Sequence, residues 1–198
     1  MRSVRPGRAG DPPFGLMIDD LGVHFDSAAP SRLEMLLATH PLDDRVLLAR
    51  AAEGIARLRA ADLSKYNVHG PAAPVPDPGY VLVIDQTLAD ASIRHGGADA
   101  GTFTTMLAAA RAEHPDARIV IKAHPETVQG YRAGHFGADD AGGLVSLLAA
   151  AVSPWRLLEG AAAIYTVSSQ LGWEAVQAGH RPVVFGQPWY AGWGVTDD

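Results

Sequence analysis

The feature that most constrains the fold is an alternation of short apolar runs with helical stretches after residue 79. The first run, Tyr80–Ile84, is continuous in hydrophobic residues and stops at Asp85, which is typical of a strand buried on both faces of a sheet. The alternation predicts an α/β fold with a mostly parallel sheet. The predicted strands are Tyr80–Ile84, Arg118–Ile121, Ala162–Val167 and Val183–Phe185, with Leu144–Leu148 as a further strand or a helix; the predicted helices are Thr102–Glu113, Trp155–Glu159 and Gly172–Gln177.

The first 70 residues follow a different pattern. Residues 1–13 are rich in Gly, Pro and Arg and are expected to form a loop or an extended arm, and Phe14–Ile18 is a short apolar run typical of a strand. Ser31 and Glu34 have the spacing of a capping box, which predicts that a helix begins there. Apolar residues at helical spacing predict a second helix at Asp43–Ala61.

Prolines mark the boundary between the two patterns. Four of the eight residues in 71–78 are prolines, and such a stretch is stiff and extended. We therefore predict an N-terminal segment at 1–70, a Pro-rich linker at 71–79 and a sheet domain at 80–198.

Polar residues follow each predicted strand of the sheet domain. Folds of this class bind ligands beyond the carboxyl ends of their strands, so these residues are the first candidates for a site. They are Asp85-Gln86-Thr87, Lys122-Ala123-His124-Pro125, Ser168-Ser169-Gln170 and Gly186-Gln187-Pro188.

Two of these runs suit a phosphate. Lys122 offers a positive charge and His124 a hydrogen-bond donor, while Pro125 keeps His124 out of helical geometry. Ser168 and Ser169 offer hydroxyls and free backbone N–H groups at the start of a helix. The alternatives are a solvated surface loop for the first run and a plain helix N-cap for the second.

Other residues are weaker candidates. Glu159 could accept hydrogen bonds from ribose hydroxyls, or could be a solvated carboxylate at a helix end. The aromatic residues Trp189, Tyr190 and Trp193 could form a wall beside the site, or a packing arm. No metal site is predicted, because the spacing of the acidic residues and His24 between positions 19 and 26 matches no known set of ligands.

Composition excludes several classes of protein. The net charge of -6 argues against a nucleic-acid partner. The chain has no cysteine, which excludes disulfides and thiolate metal sites. It also has neither a signal peptide pattern nor an apolar run of about 20 residues. We expect a cytoplasmic protein, or one peripheral to the inner membrane.

Four runs resemble the capsule polysaccharide proteins of the KpsC/LipB family. Shorter likenesses to the same family lie at Leu16–Asp26 and Leu63–Asn67, so the resemblance covers most of the chain in order. The four runs are Ile84–Thr87 together with Asp90–Ile93, Lys122–Pro125, Tyr165–Ala175 and Phe185–Gly194.

The resemblance implies a retaining β-Kdo transferase of capsule synthesis. Members of the family use CMP-Kdo and a lipid-linked acceptor, need no cofactor, and resemble GT-B enzymes with two Rossmann-like lobes. This chain then corresponds to the donor-binding lobe, with His124, Ser168 and Ser169 at the CMP phosphate and Lys122 beside the cytidine. Pro125, Gln170 and Glu159 are expected to complete the nucleotide site, and Asp85, Gln86, Thr87, Trp189, Tyr190 and Trp193 its rim.

The family usually has an acidic run before the segment that matches Arg2–Val4, and this chain has none. The catalytic residues are therefore unknown, and we expect a truncated fragment that binds the donor. One alternative is a non-catalytic component of capsule assembly or export, working with the export machinery at the inner membrane. The other is an epimerase-like relative that uses a UDP-sugar. NAD is disfavoured, because no G-x-G-x-x-G follows a predicted strand.

Overall fold

The computed structural model describes residues 2–5, 15–67, 69, 70 and 72–198, with the backbone alone at 2–5 and 15–17. These residues form seven strands and seven α-helices, with one short 3-10 turn at Ala138–Asp140. In chain order the elements are β1 (Arg2–Arg5), β2 (Gly15–Ile18), α1 (Arg32–Thr39), α2 (Arg45–Ala60), β3 (Tyr80–Ile84), α3 (Ala91–His95), α4 (Ala100–Glu113), β4 (Ile119–Lys122), α5 (Pro125–Val128), β5 (Val145–Leu148), α6 (Pro154–Gly160), β6 (Ala161–Thr166), α7 (Gln170–Gln177) and β7 (Val183–Val184).

Five of the strands form a parallel sheet in the order β5-β4-β3-β6-β7. The predicted α/β fold with a parallel sheet is confirmed. The chain moves outward from β3 to β4 and β5, and then returns to the other side of β3 for β6 and β7. The strand order therefore reverses between β3 and β6, and a crevice forms at the carboxyl ends of strands where this happens.

Burial of β3 explains its continuous apolar sequence. All five of its residues are buried, and alternate side chains enter two separate cores because successive residues of a strand face opposite sides. Val81 and Val83 pack with Phe103 and Met106 of α4. Leu82 and Ile84 pack on the other face with a group from α6 and β6 that includes Trp155, Leu157, Leu158 and Ile164.

The N-terminal segment departs from the prediction in one place. Arg2–Arg5 form a strand that pairs antiparallel with Gly15–Ile18. The prediction of a loop or an extended arm at 1–13 is therefore wrong for these four residues. Antiparallel pairing was not visible in the sequence because Arg2–Arg5 lack an apolar alternation. Residue 1 and residues 6–14, which include Phe14, lie outside the described part of the chain.

Helix α1 begins as the capping box predicts. The Ser31 hydroxyl accepts from the Glu34 N–H, and the Glu34 carboxylate accepts from the Ser31 N–H at 2.8 Å. Helix α2 starts at the Asp44 cap. Neither helix buries a residue against the rest of the described chain.

The structure also contains two short helices that we did not predict. Helices α3 and α5 have five and four residues, too few for a helical period to show in the sequence. Helix α5 begins at Pro125, with His124 as its cap. His124 is thus non-helical as expected, but the chain turns into a helix immediately after it.

The Pro-rich segment packs on the sheet domain over its described residues. Arg156 donates to the Ala73 carbonyl and Arg118 to the Asp77 carbonyl, while Val75 contacts the apolar core beside α6. Residues 72–79 therefore pack on the sheet domain and do not form a free spacer. The division of the chain into domains stays a prediction. Among the helices of the described residues, none has the length and hydrophobicity needed to cross a membrane.

A substitution at Gly172 tests how closely α7 packs on the sheet. A Cβ at Gly172 would overlap the Tyr190 hydroxyl and lie 2.8 Å from Thr166 Cγ2. Gly172→Ala should lower the free energy of unfolding by about 1–3 kcal/mol, as overpacking does. Gly54→Ala is the matched control, because nothing lies within 4 Å of its Cβ position on α2, and it should stabilise the protein by about 0.5–1 kcal/mol. Urea denaturation measures both, and equal effects would contradict the close packing at Gly172.

Candidate functional site

A cavity of about 490 Å³ opens at the carboxyl edge of the sheet, where the strand order reverses. The ends of β3, β4 and β6 form its floor, and residues of the N-terminal segment form one wall. Its polar lining from the sheet domain includes Asp85, Gln86, Asp90, Ser92, Lys122, His124, Gln129, Ser168, Ser169, Gln170 and Glu174, and the N-terminal segment adds His24, Phe25, Ser64, Lys65, Tyr66 and His69.

Lys122 places a cation beside this cavity. The last residue of β4, it donates from Nζ to the carbonyl oxygens of Ala123 at 3.0 Å and Ala150 at 3.3 Å. No carboxylate forms an ion pair with it among the described residues. Burial lowers the pKa of Lys122, because desolvation disfavours the charged form. An anion in the cavity would restore a counter-charge.

His124 offers a neutral hydrogen-bond donor. Its Nδ1 accepts from the Glu126 N–H at 3.2 Å as the cap of α5, which assigns the proton to Nε2. Burial lowers the pKa of His124, and so do the charges of Lys65 and Lys122, whereas Glu126 and Asp90 raise it. The ring is therefore neutral at pH 7, with Nε2–H as its donor.

Ser168 is held by Gln86 across the crevice between β6 and β3. The Ser168 N–H donates to Gln86 Oε1 at 2.9 Å, and Gln86 Nε2 donates to the Ser168 hydroxyl oxygen at 3.2 Å. The Ser168 N–H is therefore not available to an anion, because Gln86 occupies it. The hydroxyl of Ser168 also lies 3.1 Å from that of Ser92, which donates to Asp90.

Ser169 and the aromatic tail meet at the start of α7. The Ser169 hydroxyl caps the helix by accepting from the Leu171 N–H at 3.2 Å, as the N-cap alternative predicted. Tyr190 is buried and donates to the Ser169 carbonyl at 2.6 Å. Trp189 borders the cavity and packs on Trp173 at 4.6 Å between ring centroids. The tail thus both supports α7 and reaches the rim.

Asp85 is a buried carboxylate on the cavity floor. Only 2% of its surface is exposed. Its Oδ1 accepts from the N–H groups of Gln86 at 2.8 Å and His135 at 3.0 Å, while Oδ2 has no hydrogen-bond partner among the described residues. Burial raises the pKa of Asp85 to about 6 in spite of these donors.

Three predicted site residues lie away from the cavity. Glu159 is exposed at the end of α6, near the amino end of β6, and is 3.5 Å from Arg59. Thr87 is buried and pairs with Gly134. Trp193 is not part of the cavity lining, and it donates its indole N–H to the Trp189 carbonyl. The other predicted residues, Lys122, His124, Pro125, Ser168, Ser169, Gln170, Asp85, Gln86, Trp189 and Tyr190, all border the cavity.

Sequence reasoning missed the wall from the N-terminal segment. Lys65 and Tyr66 entered only as part of the run Leu63–Asn67 that resembles the family, with no role attached. Asp90 and Ser92 were likewise not singled out, although they follow β3 closely. No group of three or more metal-ligating side chains is found among the described residues.

Comparison with protein families supplies an identity for this arrangement. Residues 75–198 match the family model described as capsule polysaccharide biosynthesis protein. The chain belongs to this family. The resemblance noted in the sequence is confirmed, and so is the fold.

Several relatives of this family member are longer than the chain. It is 40% identical to the capsule polysaccharide modification protein LipA of Neisseria meningitidis serogroup B over 205 aligned residues, which cover the whole chain and 29% of LipA. It is 33% identical to the lipopolysaccharide-processing protein LpsZ of Rhizobium meliloti and covers 46% of that protein. The chain therefore spans less than half the length of these curated relatives.

Two solved structures share its fold. The β Kdo 2,4 transferase of Thermosulfurimonas dismutans KpsC matches with a TM-score of 0.86 and 37% identity, over 96% of this chain and 60% of that one. The β Kdo 2,7 transferase of the same organism's KpsC matches with a TM-score of 0.68 and 27% identity, over 94% of this chain and 57% of that one. Structurally, this family member is like the KpsC Kdo transferases.

Asp85 gives a pH prediction. Its pKa is raised from 3.8 to about 6 in the folded state, so the protonated form stabilises the fold. That contribution is complete below pH 4 and is lost as the pH rises through 6. Relative to Asp85→Asn, the native protein should lose about 3 kcal/mol of unfolding free energy between pH 4 and 7, from 1.36 kcal/mol per pKa unit.

Urea denaturation across this pH range measures the difference. Asp139→Asn, which removes the same group from an exposed turn, controls for the change in net charge. The same pH trend in both variants would contradict the desolvated state of Asp85.

Proposed function

We propose that this chain is the donor-binding lobe of a capsule glycosyltransferase whose donor is CMP-Kdo. Its cavity would hold the donor phosphate against His124, Ser168 and Lys122 at the start of α7. The observation that carries the proposal is this convergence of a neutral N–H donor, a hydroxyl and a buried cation on one cavity. A helix N-terminus adds favourable N–H dipoles for an anion.

The chemistry of transfer suits this set of groups. When the bond between the sugar and the phosphate breaks, negative charge develops on the phosphate of the departing nucleotide. The Nε2–H of His124 and the ammonium group of Lys122 would stabilise that charge in a partly desolvated site, where such interactions are strongest. The proposal requires no cofactor and no metal ion, because these side chains supply the electrostatic stabilisation.

The choice of donor is supported by likeness. The solved chains that match by fold are titled β Kdo transferases, and the acceptor would be a lipid-linked saccharide bound with the help of parts of the longer protein. Peripheral association with the inner membrane and contact with the capsule export machinery belong to the same proposal. If a longer protein that contains this lobe binds CMP but transfers no Kdo, that result would favour the alternative, a non-catalytic component of capsule assembly.

Ligand preference is the first test. CMP should raise the free energy of unfolding more than UMP, AMP or NAD do. At 100 times its Kd the gain from linkage is about 2.7 kcal/mol, which a thermal-shift experiment detects. Stabilisation by UDP in place of CMP would favour the UDP-sugar alternative, and equal, negligible shifts with all nucleotides would contradict the proposal.

His124 is the second test. His124→Ala removes a hydrogen bond to a charged phosphate, and such bonds contribute about 1.5–3 kcal/mol, which is about ten- to a hundredfold in the Kd for CMP. Ser168→Ala removes a weaker hydroxyl donor and should cost about 0.5–1.5 kcal/mol. Isothermal titration calorimetry measures both effects.

His40 provides a matched control for His124. Its Nδ1 also accepts a backbone N–H two residues along the chain, from Leu42 at 3.0 Å, but it is exposed and lies outside the cavity lining. His40→Ala should leave CMP affinity unchanged. An unchanged affinity in a folded His124→Ala protein would remove the main support for the donor site.

A further inference from the structure

The loop that follows α2, residues 61–67, forms one wall of the cavity. Ser64, Lys65 and Tyr66 all border it, although they belong to the N-terminal segment. The Trp155 indole N–H donates to the Leu63 carbonyl at 2.9 Å and fixes the start of the loop. Within the loop, Ser64 and Lys65 are both bound by one side chain of the sheet domain.

That side chain is Glu174 on α7. It is 7% exposed, and its carboxylate accepts from the Ser64 hydroxyl at 2.8 and 3.0 Å and from the Lys65 N–H at 3.2 Å. Burial of a carboxylate is costly unless hydrogen bonds compensate for it. The only donors that the structure gives Glu174 among the described residues come from this loop, so the buried charge and the loop hold each other in place.

The loop in turn contacts His124. The Tyr66 ring stands edge-on to the His124 ring with 5.1 Å between centroids, and Lys65 Nζ lies 5.2 Å from the centre of the Tyr66 ring. Four charged groups act on His124: Glu126 of α5, Lys65 of the loop, Asp90 at the cap of α3 and Lys122 of β4. The loop is the only one of these elements that reaches the cavity from the N-terminal segment.

We propose that Glu174 is a positioning residue that anchors Ser64, Lys65 and Tyr66 over the cavity, and that this anchored loop is part of the nucleotide-binding site. Tyr66 fixes the ring of His124, and Lys65 supplies a second cation for an anionic ligand. The CMP-binding part of this inference rests on the proposed function. The effect of Glu174 on His124 does not, because it concerns the free protein.

Glu174→Ala should release the loop. Without Lys65 and with less burial, the pKa of His124 should rise toward its ordinary value, and the ring-current shift from Tyr66 should disappear from the His124 ring signals. Both are measured by NMR titration of the histidines in the absence of ligand. The Kd for CMP should increase about tenfold, the change that 1.4 kcal/mol produces.

Three further variants separate positioning from general stability. Ser64→Ala should also weaken CMP binding. Ser64→Ala combined with Glu174→Ala should raise the Kd for CMP no more than Glu174→Ala alone, because the two substitutions disrupt the same interaction. Glu174→Gln keeps an oxygen acceptor for the Ser64 hydroxyl, and it should retain most of the affinity even if Glu174→Ala folds poorly.

Glu113→Ala is the matched control. Glu113 also accepts a hydrogen bond from a hydroxyl, that of Tyr165, but it lies at the end of α4 away from the cavity lining. Its loss should leave the His124 titration and the CMP affinity unchanged. A folded Glu174→Ala protein with a native His124 titration would overturn the proposal. If native protein fails to bind CMP but Glu174→Ala still shifts the His124 titration, the positioning role stands and the proposed function fails.

Discussion

Burial of β3 on both faces is the constraint from which the rest of the structure follows. Its five residues supply side chains to two separate apolar cores, so both faces of the sheet are covered, as is typical of parallel sheets. With β4 on one side and β6 on the other, the chain segments leaving β3 and β6 diverge. The crevice that results is where the cavity lies.

The same burial sets the chemistry of the cavity. Desolvation raises the pKa of Asp85 and lowers the pKa of Lys122 and His124, because it disfavours every charged form alike. The floor of the cavity thus gives Lys122 and His124 little opposite charge. An anionic ligand would stabilise the charged forms of these two side chains. Two hydrogen bonds between Gln86 and Ser168 link the two sides of the crevice.

The N-terminal segment completes this site while leaving its own helices exposed. The 61–67 loop is fastened to α6 and α7 through Leu63, Ser64 and Lys65, yet α1 and α2 bury no residue within the described chain. A helix of 16 residues exposed on all sides gains little stability from packing. The curated relatives are more than twice as long as this chain.

Local pattern by itself determined four strands of the parallel sheet, the capping box at Ser31 and the polar runs at the strand ends, because apolar periodicity and hydrogen-bonding capacity are properties of neighbouring residues. The polar runs at the strand ends were enough to predict that Lys122, His124 and Ser168 lie at the carboxyl edge of the sheet. Only the tertiary structure decided that β3 lies between β4 and β6, that Gln86 occupies the Ser168 N–H, and that Glu159 lies far from the cavity. It alone brought Glu174 to Ser64, 110 residues apart in sequence, since contacts between distant residues depend on strand order, which local pattern does not encode.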